Sequence, residues 1–294
     1  MRKIELVLGF KCNCRCAFCV QDDETLGQVM ESGAALRHMA RSRKEGAADI
    51  DFGGGEPTLR KDLPALARAA ASLGFGRIGV KTNGLMLCYP EYVEKLTRSG
   101  VNQFCVPVWG SDPAEHDALS QTEGSFEMME MGVKHVVDLG GDIEVAVLLT
   151  TQTVPRLKTL TAHFAELGVR RLRFVLYCLF GSQGARPELL PTLTSSGKAI
   201  VETASSLKSR KIALSTTHVP PCFLSPRDDL YLNIADSRLV IITPGGSFPV
   251  ETSPFESGVK TEKCRGCAAI NRCGGVRPEY IRRFSDREIV RVEP

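Results

Sequence analysis

The sequence predicts an α/β fold: a partial (β/α)6, TIM-like barrel over residues 1–210 and a small cysteine-rich extension over residues 211–294. Three observations carry that expectation. Short β-branched apolar runs alternate with stretches at helical spacing, a pattern that joins parallel strands through crossover helices. Six such units fall short of the eight of a closed (β/α)8 barrel, so an open sheet or partial barrel is expected. After about residue 210 the alternation gives way to a segment rich in Pro, Gly, Ser and Cys.

The expected strands are 3–8, 49–52, 77–81, 103–108, 143–149 and 172–177. The expected helices are 29–45, 62–73, 90–99, 125–139, 155–167 and 193–208. In the fifth helix, Val154, Leu157, Leu160, Phe164 and Leu167 recur every three or four residues and form one apolar stripe. Gly74, Gly100, Gly140 and Gly168 stand where a helix ends before the next strand. One further apolar run, 211–214, precedes the change of pattern.

Bulk properties narrow the class. With 43% hydrophobic and 24% charged residues, the composition is that of a globular protein. A net charge of +3 is too small to imply a nucleic-acid or membrane partner. No apolar run approaches the ~18–20 residues of a membrane span. The opening segment carries Glu5 inside its apolar run and has no cleavage site, so it reads as a first strand rather than a signal peptide. Cysteine is the outlier: eleven are present, most of them in two groups. Without a secretion signal, that usage points to metal binding in a reducing cytoplasm rather than to disulfides.

The first group follows the first strand directly. Cys12, Cys16 and Cys19 give C-x3-C-x2-C, a spacing that lets one tight loop place three sulfurs around one cluster. Three thiolates on a four-iron cluster leave one iron open, as a catalytic site requires. Zinc, a structural cluster or free thiols are the other readings, and zinc normally takes four ligands. The second strand ends in Gly53-Gly54-Gly55-Glu56-Pro57, where consecutive glycines mark close approach to the backbone or simply a turn.

The C-x3-C-x2-C loop, with Phe18 just before its last cysteine, resembles the signature of the radical S-adenosylmethionine (SAM) superfamily. Gly54, Gly55, Glu56 and Pro57 resemble that family's G-G-E-P motif, and Thr58, Leu59, Arg60, Asp62 and Leu63 continue the likeness. The resemblance implies a [4Fe–4S] cluster on Cys12, Cys16 and Cys19, whose open iron is chelated by the methionyl group of SAM. One electron then breaks the sulfonium C–S bond and yields a 5′-deoxyadenosyl radical. It also implies SAM contacts from Phe18 and the glycine segment, and from Thr82 and Asn83 at the end of the third strand. Asn83-Gly84 is equally an ordinary turn. Cys14 lies outside the spacing and reads as a bystander. Relatives usually carry serine where Pro107 stands and often histidine where Trp109 stands, and Pro107 offers neither a hydroxyl nor an N–H for the SAM contact usually made from its position. Gly74-Phe75-Gly76-Arg77-Ile78-Gly79 fits G-x-G-x-x-G but follows a helix and leads into a strand, the reverse of a dinucleotide site. His218 stands out beside Pro220-Pro221-Cys222 without a specific role.

The second group, Cys264, Cys267 and Cys273, gives C-x2-C-x5-C, with Cys222 as the fourth ligand. Four thiolates close the shell of a [4Fe–4S] cluster or of a structural zinc. The arrangement resembles the auxiliary-cluster extensions called SPASM and Twitch, which implies an auxiliary [4Fe–4S] cluster acting as electron acceptor. The expected protein is therefore a radical SAM oxidoreductase or maturase, reduced by flavodoxin or ferredoxin, that abstracts hydrogen from a peptide or small-molecule substrate. The small molecule would be a sugar, aminocyclitol or nucleoside that is dehydrogenated or rearranged. Strand one starts at once, which leans towards a small substrate or a separate peptide-recognition protein. A non-catalytic iron–sulfur or zinc scaffold is the alternative from another class.

Overall fold

A computed structural model describes residues 2–19, 27–179, 186–253, 256 and 258–293. Among the described residues, nine strands form one sheet: β1 (Arg2–Val7), β2 (Ala47–Gly53), β3 (Arg77–Lys81), β4 (Gln103–Val108), β5 (Ile143–Leu149), β6 (Arg171–Leu176), β7 (Ala213–Thr217), β8 (Leu239–Thr243) and β9 (Gly246–Pro249). Their order is β7-β6-β5-β4-β3-β2-β1-β8-β9, and the sheet is not closed. Every pair is parallel except β8 with β9.

The helices are α1 (Ser32–Lys44), α2 (Leu63–Ser72), α3 (Pro90–Arg98), α4 (Pro113–Ser120), α5 (Ser125–Asp138), α6 (Leu157–Glu166), α7 (Leu193–Leu207) and α8 (Pro278–Phe284). The six expected β/α units are all present, each within a few residues of its predicted bounds. Gly74, Gly100, Gly140 and Gly168 take positive φ, as helix-ending glycines do. Among the described residues, no helix is long and apolar enough to cross a membrane.

Four elements were not anticipated: α4, α8, β8 and β9. Asp112 caps α4 by accepting a hydrogen bond from the Glu115 N–H at 2.9 Å, and Pro113 opens the helix. β8 and β9 extend the sheet beyond β1. The sheet thus runs on past residue 210, and the late cysteines Cys264, Cys267 and Cys273 lie beyond its last strand.

Period-2 alternation divides each strand between two environments. One face carries Ile4, Leu6, Ile50, Phe52, Ile78, Val80, Phe104, Val106, Val145, Val147, Leu172 and Phe174, all buried in a continuous core with the helices. Burying each large side chain contributes roughly 1.5–3 kcal/mol. The other face is charged. Lys3 and Arg77 pair with Asp51 at 2.6 and 3.0 Å, Lys81 pairs with Glu5, and Arg173 pairs with Glu144 at 2.6 Å. Burial pushes the Asp51 carboxyl up, but Lys81, Lys3 and Arg77 outweigh it and hold the group below the usual carboxylate range.

Candidate active site

The site forms where the C-terminal ends of β1, β2 and β3 meet, the end of a barrel from which chemistry is done. Beyond β1, the cysteine loop is held by its neighbours' backbones. Arg15 N–H donates to the Ser120 carbonyl at 3.1 Å and Ala17 N–H to the Leu119 carbonyl at 2.8 Å, both at the end of α4. Cys19 N–H donates to the Cys16 carbonyl at 3.0 Å, which folds these two cysteines into one turn. Cys14 N–H reaches the Cys12 sulfur at 3.4 Å. The Cys14 thiol lies between those of Cys12 and Cys16. The bond to Cys12 pulls its pKa down, the bond to Cys16 and burial push it up, and the balance leaves it at about 11. The Cys12 thiol is raised by its bond to Cys14 and by burial.

The glycine segment lies directly against this loop. Gly55 N–H donates to the Gly9 carbonyl at 2.9 Å and Glu56 N–H to the Lys11 carbonyl at 2.8 Å. A Cβ on Gly54 would stand 2.2 Å from the Gly9 oxygen, and one on Gly55 would stand 2.4 Å from both the Phe10 and Lys11 oxygens. The close approach inferred from three glycines is therefore made by the chain's own cysteine loop. Gly55→Ala is expected to displace the loop and cut the iron retained after reconstitution several-fold; metal analysis of the purified variant checks it.

Glu56 ties the second and third strand ends together. Its buried carboxylate accepts from Thr58 N–H (2.9 Å), the Thr58 hydroxyl (2.5 Å), the Thr82 hydroxyl (2.7 Å) and Asn83 N–H (2.7 Å). Burial pushes this carboxyl up while these donors pull it back. Pro57 opens the single turn Pro57–Leu59 that follows. Asn83 completes the link. Its Oδ1 accepts from Leu85 N–H at 3.1 Å, which turns Nδ2 onto Asn13 Oδ1 (2.8 Å) and the Cys14 sulfur (3.3 Å).

Aromatic side chains wall the loop on its far side. Phe18 meets Trp109 and Tyr177 edge-on, with centroids 5.6 and 6.2 Å apart, and Trp109 packs on His116 at 4.9 Å. Trp109 is buried in this cluster. Phe18 itself is half-buried, its ring packed edge-on in this cluster.

The second cysteine group also converges. Cys222, on the turn Pro221–Phe223 after β7, lines one pocket with Cys264, Cys267 and Cys273. Val292 N–H donates to the Cys267 sulfur and Gly275 N–H to the Cys273 sulfur, each at 3.3 Å. Burial, then the neighbouring cysteines, push the Cys222 thiol up to about 12. Among the described residues, no three Cys, His, Asp or Glu side chains close up on a single-ion site. His218, with φ of 65°, bonds Glu256 at 2.7 Å and so ties the end of edge strand β7 to the segment beyond β9.

Residues 6–161, which contain the first cysteine loop, the glycine segment and Asn83, match the radical SAM superfamily. The chain belongs to the radical SAM superfamily. A probable GTP 3′,8-cyclase of Methanopyrus kandleri is 28% identical over 177 residues, covering 60% of this chain and 56% of that protein. The 7,8-dihydro-6-hydroxymethylpterin dimethyltransferase of Methanocaldococcus jannaschii is 36% identical over 96 residues, 31% of this chain and 19% of that one. The chain thus spans about half the length of the cyclases it matches. Among solved structures, Streptococcus suis SuiB bound to S-adenosylmethionine superposes with a TM-score of 0.73 at 15% identity, covering 98% of this chain and 76% of that one. Native anSMEcpe with bound AdoMet gives 0.69 at 13% identity, covering 99% and 93%. These likenesses establish a shared partial-barrel fold.

The first set of thiols fits the [4Fe–4S] cluster this family implies. Both sets are soft sulfur donors, and sulfurs of both receive N–H bonds of the kind that stabilise thiolates. The inward charged face was missed from the sequence, although the alternation of Lys3, Glu5, Asp49 and Asp51 with Ile4, Leu6 and Ile50 was its signal.

Proposed function

We propose that this radical SAM enzyme is an oxidoreductase that abstracts a hydrogen atom from a peptide or small-molecule substrate. In this reading Cys12, Cys16 and Cys19 hold the SAM-cleaving [4Fe–4S] cluster, and Cys222, Cys264, Cys267 and Cys273 hold an electron-accepting [4Fe–4S] cluster. The convergence of the cysteine loop, the Gly54–Gly55 backbone and Asn83 at three adjacent strand ends carries the reading. When bound, SAM and the clusters supply the 5′-deoxyadenosyl radical and a one-electron sink. The chain's own residues orient and shield. Glu56 fixes the glycine segment against Thr82 and Asn83, so its backbone polar groups are held where SAM binds. Asn83 sets the position of the cysteine loop through Asn13 and Cys14. Phe18, Trp109 and Tyr177 exclude water from the side of the loop they wall. Reduction by flavodoxin or ferredoxin and a cytoplasmic setting belong to the same reading.

The relatives named as GTP 3′,8-cyclases favour a second reading, in which a small molecule is cyclised or rearranged without net oxidation. Anaerobic reconstitution followed by iron, sulfide and zinc analysis tests the cluster assignment. About eight irons per chain are expected, whereas about four with one zinc would remove the electron-accepting cluster. A chain that forms no 5′-deoxyadenosine with SAM and dithionite would be a scaffold.

A further inference from the structure

The C-terminal segment differs in charge from the rest of the chain. Residues 259–293 carry nine Lys or Arg against five Asp or Glu, a surplus of four, while the whole chain sums to +3. Eight of those nine basic side chains are exposed, and only Glu262 and Glu293 of the acids are.

Five of the basic residues line the second cysteine pocket or stand beside residues that do. Lys260 and Arg291 line it. Arg265 stands between Cys264 and Cys267 with its side chain 85% exposed. Lys263 donates to the carbonyls of Asp286 and Arg287 at 2.8 and 3.1 Å, which brings Arg287 alongside. Arg265 and Arg291 pair only with exposed Glu262 and Glu293, contacts that solvent largely screens. Among the described residues, Lys260, Lys263 and Arg287 have no carboxylate within ion-pairing distance. At the pocket wall Val290 is 68% exposed, an apolar spot beside a basic rim. Protein pairs that exchange electrons transiently use small interfaces of this kind, steered by charge and sensitive to salt.

We propose that this face docks an acidic one-electron carrier protein over the second cysteine pocket. The inference rests on the reading that the pocket holds an iron–sulfur cluster. One electron passes from the reduced cluster to the oxidised carrier, and no bond is made or broken. Ion pairing is long-ranged enough to select the carrier, and exposed Val290 and Arg291, which also line the pocket, place the docked carrier against its lining.

Binding of an acidic [2Fe–2S] ferredoxin to the reconstituted full chain, followed by surface plasmon resonance under anaerobic conditions, tests this. Raising ionic strength from about 0.05 M to about 0.5 M is expected to weaken binding about tenfold. The Arg265→Glu/Arg287→Glu variant is expected to weaken it by about as much at low salt, and Arg265→Gln/Arg287→Gln by less. Lys95→Glu/Lys158→Glu, on outer helices, should leave it unchanged, and cytochrome c, a basic carrier, should not bind. Equal binding by the Glu variant, or loss on Lys11→Glu/Lys61→Glu beside the first cysteine loop, overturns the proposal. So does tighter binding of a single-stranded RNA to the same face. Iron analysis of the same samples reports separately on the cluster, so a zinc result would sink the premise while leaving the docking measurement readable.

Discussion

Cys16→Ala will leave the fold in place and abolish 5′-deoxyadenosine formation under dithionite, while Cys14→Ala will retain both iron and SAM cleavage. Cys16 is partly buried against the core, and trimming one sulfur there costs about 1 kcal/mol, too little to unfold a domain of this size. Its loss leaves two thiolates, and a four-iron cluster with two free corners is not retained. Cys14 is the sharper test, because its sulfur sits between those of Cys12 and Cys16 and it is the residue of the four that is buried. Spacing alone excludes it. Should Cys14→Ala lose iron while Cys16→Ala keeps it, the ligand assignment is wrong.

Acidification from pH 7 to pH 4 will cost about 3 kcal/mol of stability through one buried imidazole. His116 is fully buried between Trp109 and Phe126, and burial depresses its pKa to about 4. Its Nδ1 accepts from Trp109 N–H at 3.3 Å. The unfolded chain binds this proton near pH 6.5, whereas the folded chain resists it until about pH 4. Protonation therefore favours unfolding. The stabilisation is complete above pH 6.5 and is lost as pH falls towards 4. Asp62, held down at about 2 mainly by its bond to Arg60, responds only at lower pH. Urea midpoints at pH 7 and pH 4.5 check this, with His116→Asn, which keeps an acceptor for Trp109, expected to flatten the dependence. A wild-type midpoint unchanged between these values would refute it.

The six β/α units were legible because each strand's alternation and each helix's stripe is a local signal. The first cysteine loop and the glycine segment were legible for a different reason, namely that sulfur spacing and consecutive glycines are rare enough to stand out. What stayed hidden is non-local. β8 joins the sheet beside β1, from a stretch whose five residues, Leu239–Thr243, sit among Pro, Gly and Ser and name no partner. The hydrogen bonds of Glu56 to Thr82 and Asn83 cross between strands, and no spacing announces them. Nor does sequence show that the space beside Gly54 and Gly55 is filled by residues 9–11.

That last contact bears on what orders the sulfur-bearing segment. Four backbone hydrogen bonds, from Gly55, Glu56, Arg15 and Ala17, shape the sulfur-bearing segment against the barrel and the end of α4. Those bonds restrict the conformational freedom of the segment, so a metal is not the sole source of its order. Small zinc modules owe their order largely to the ion; here four main-chain bonds contribute to the same end.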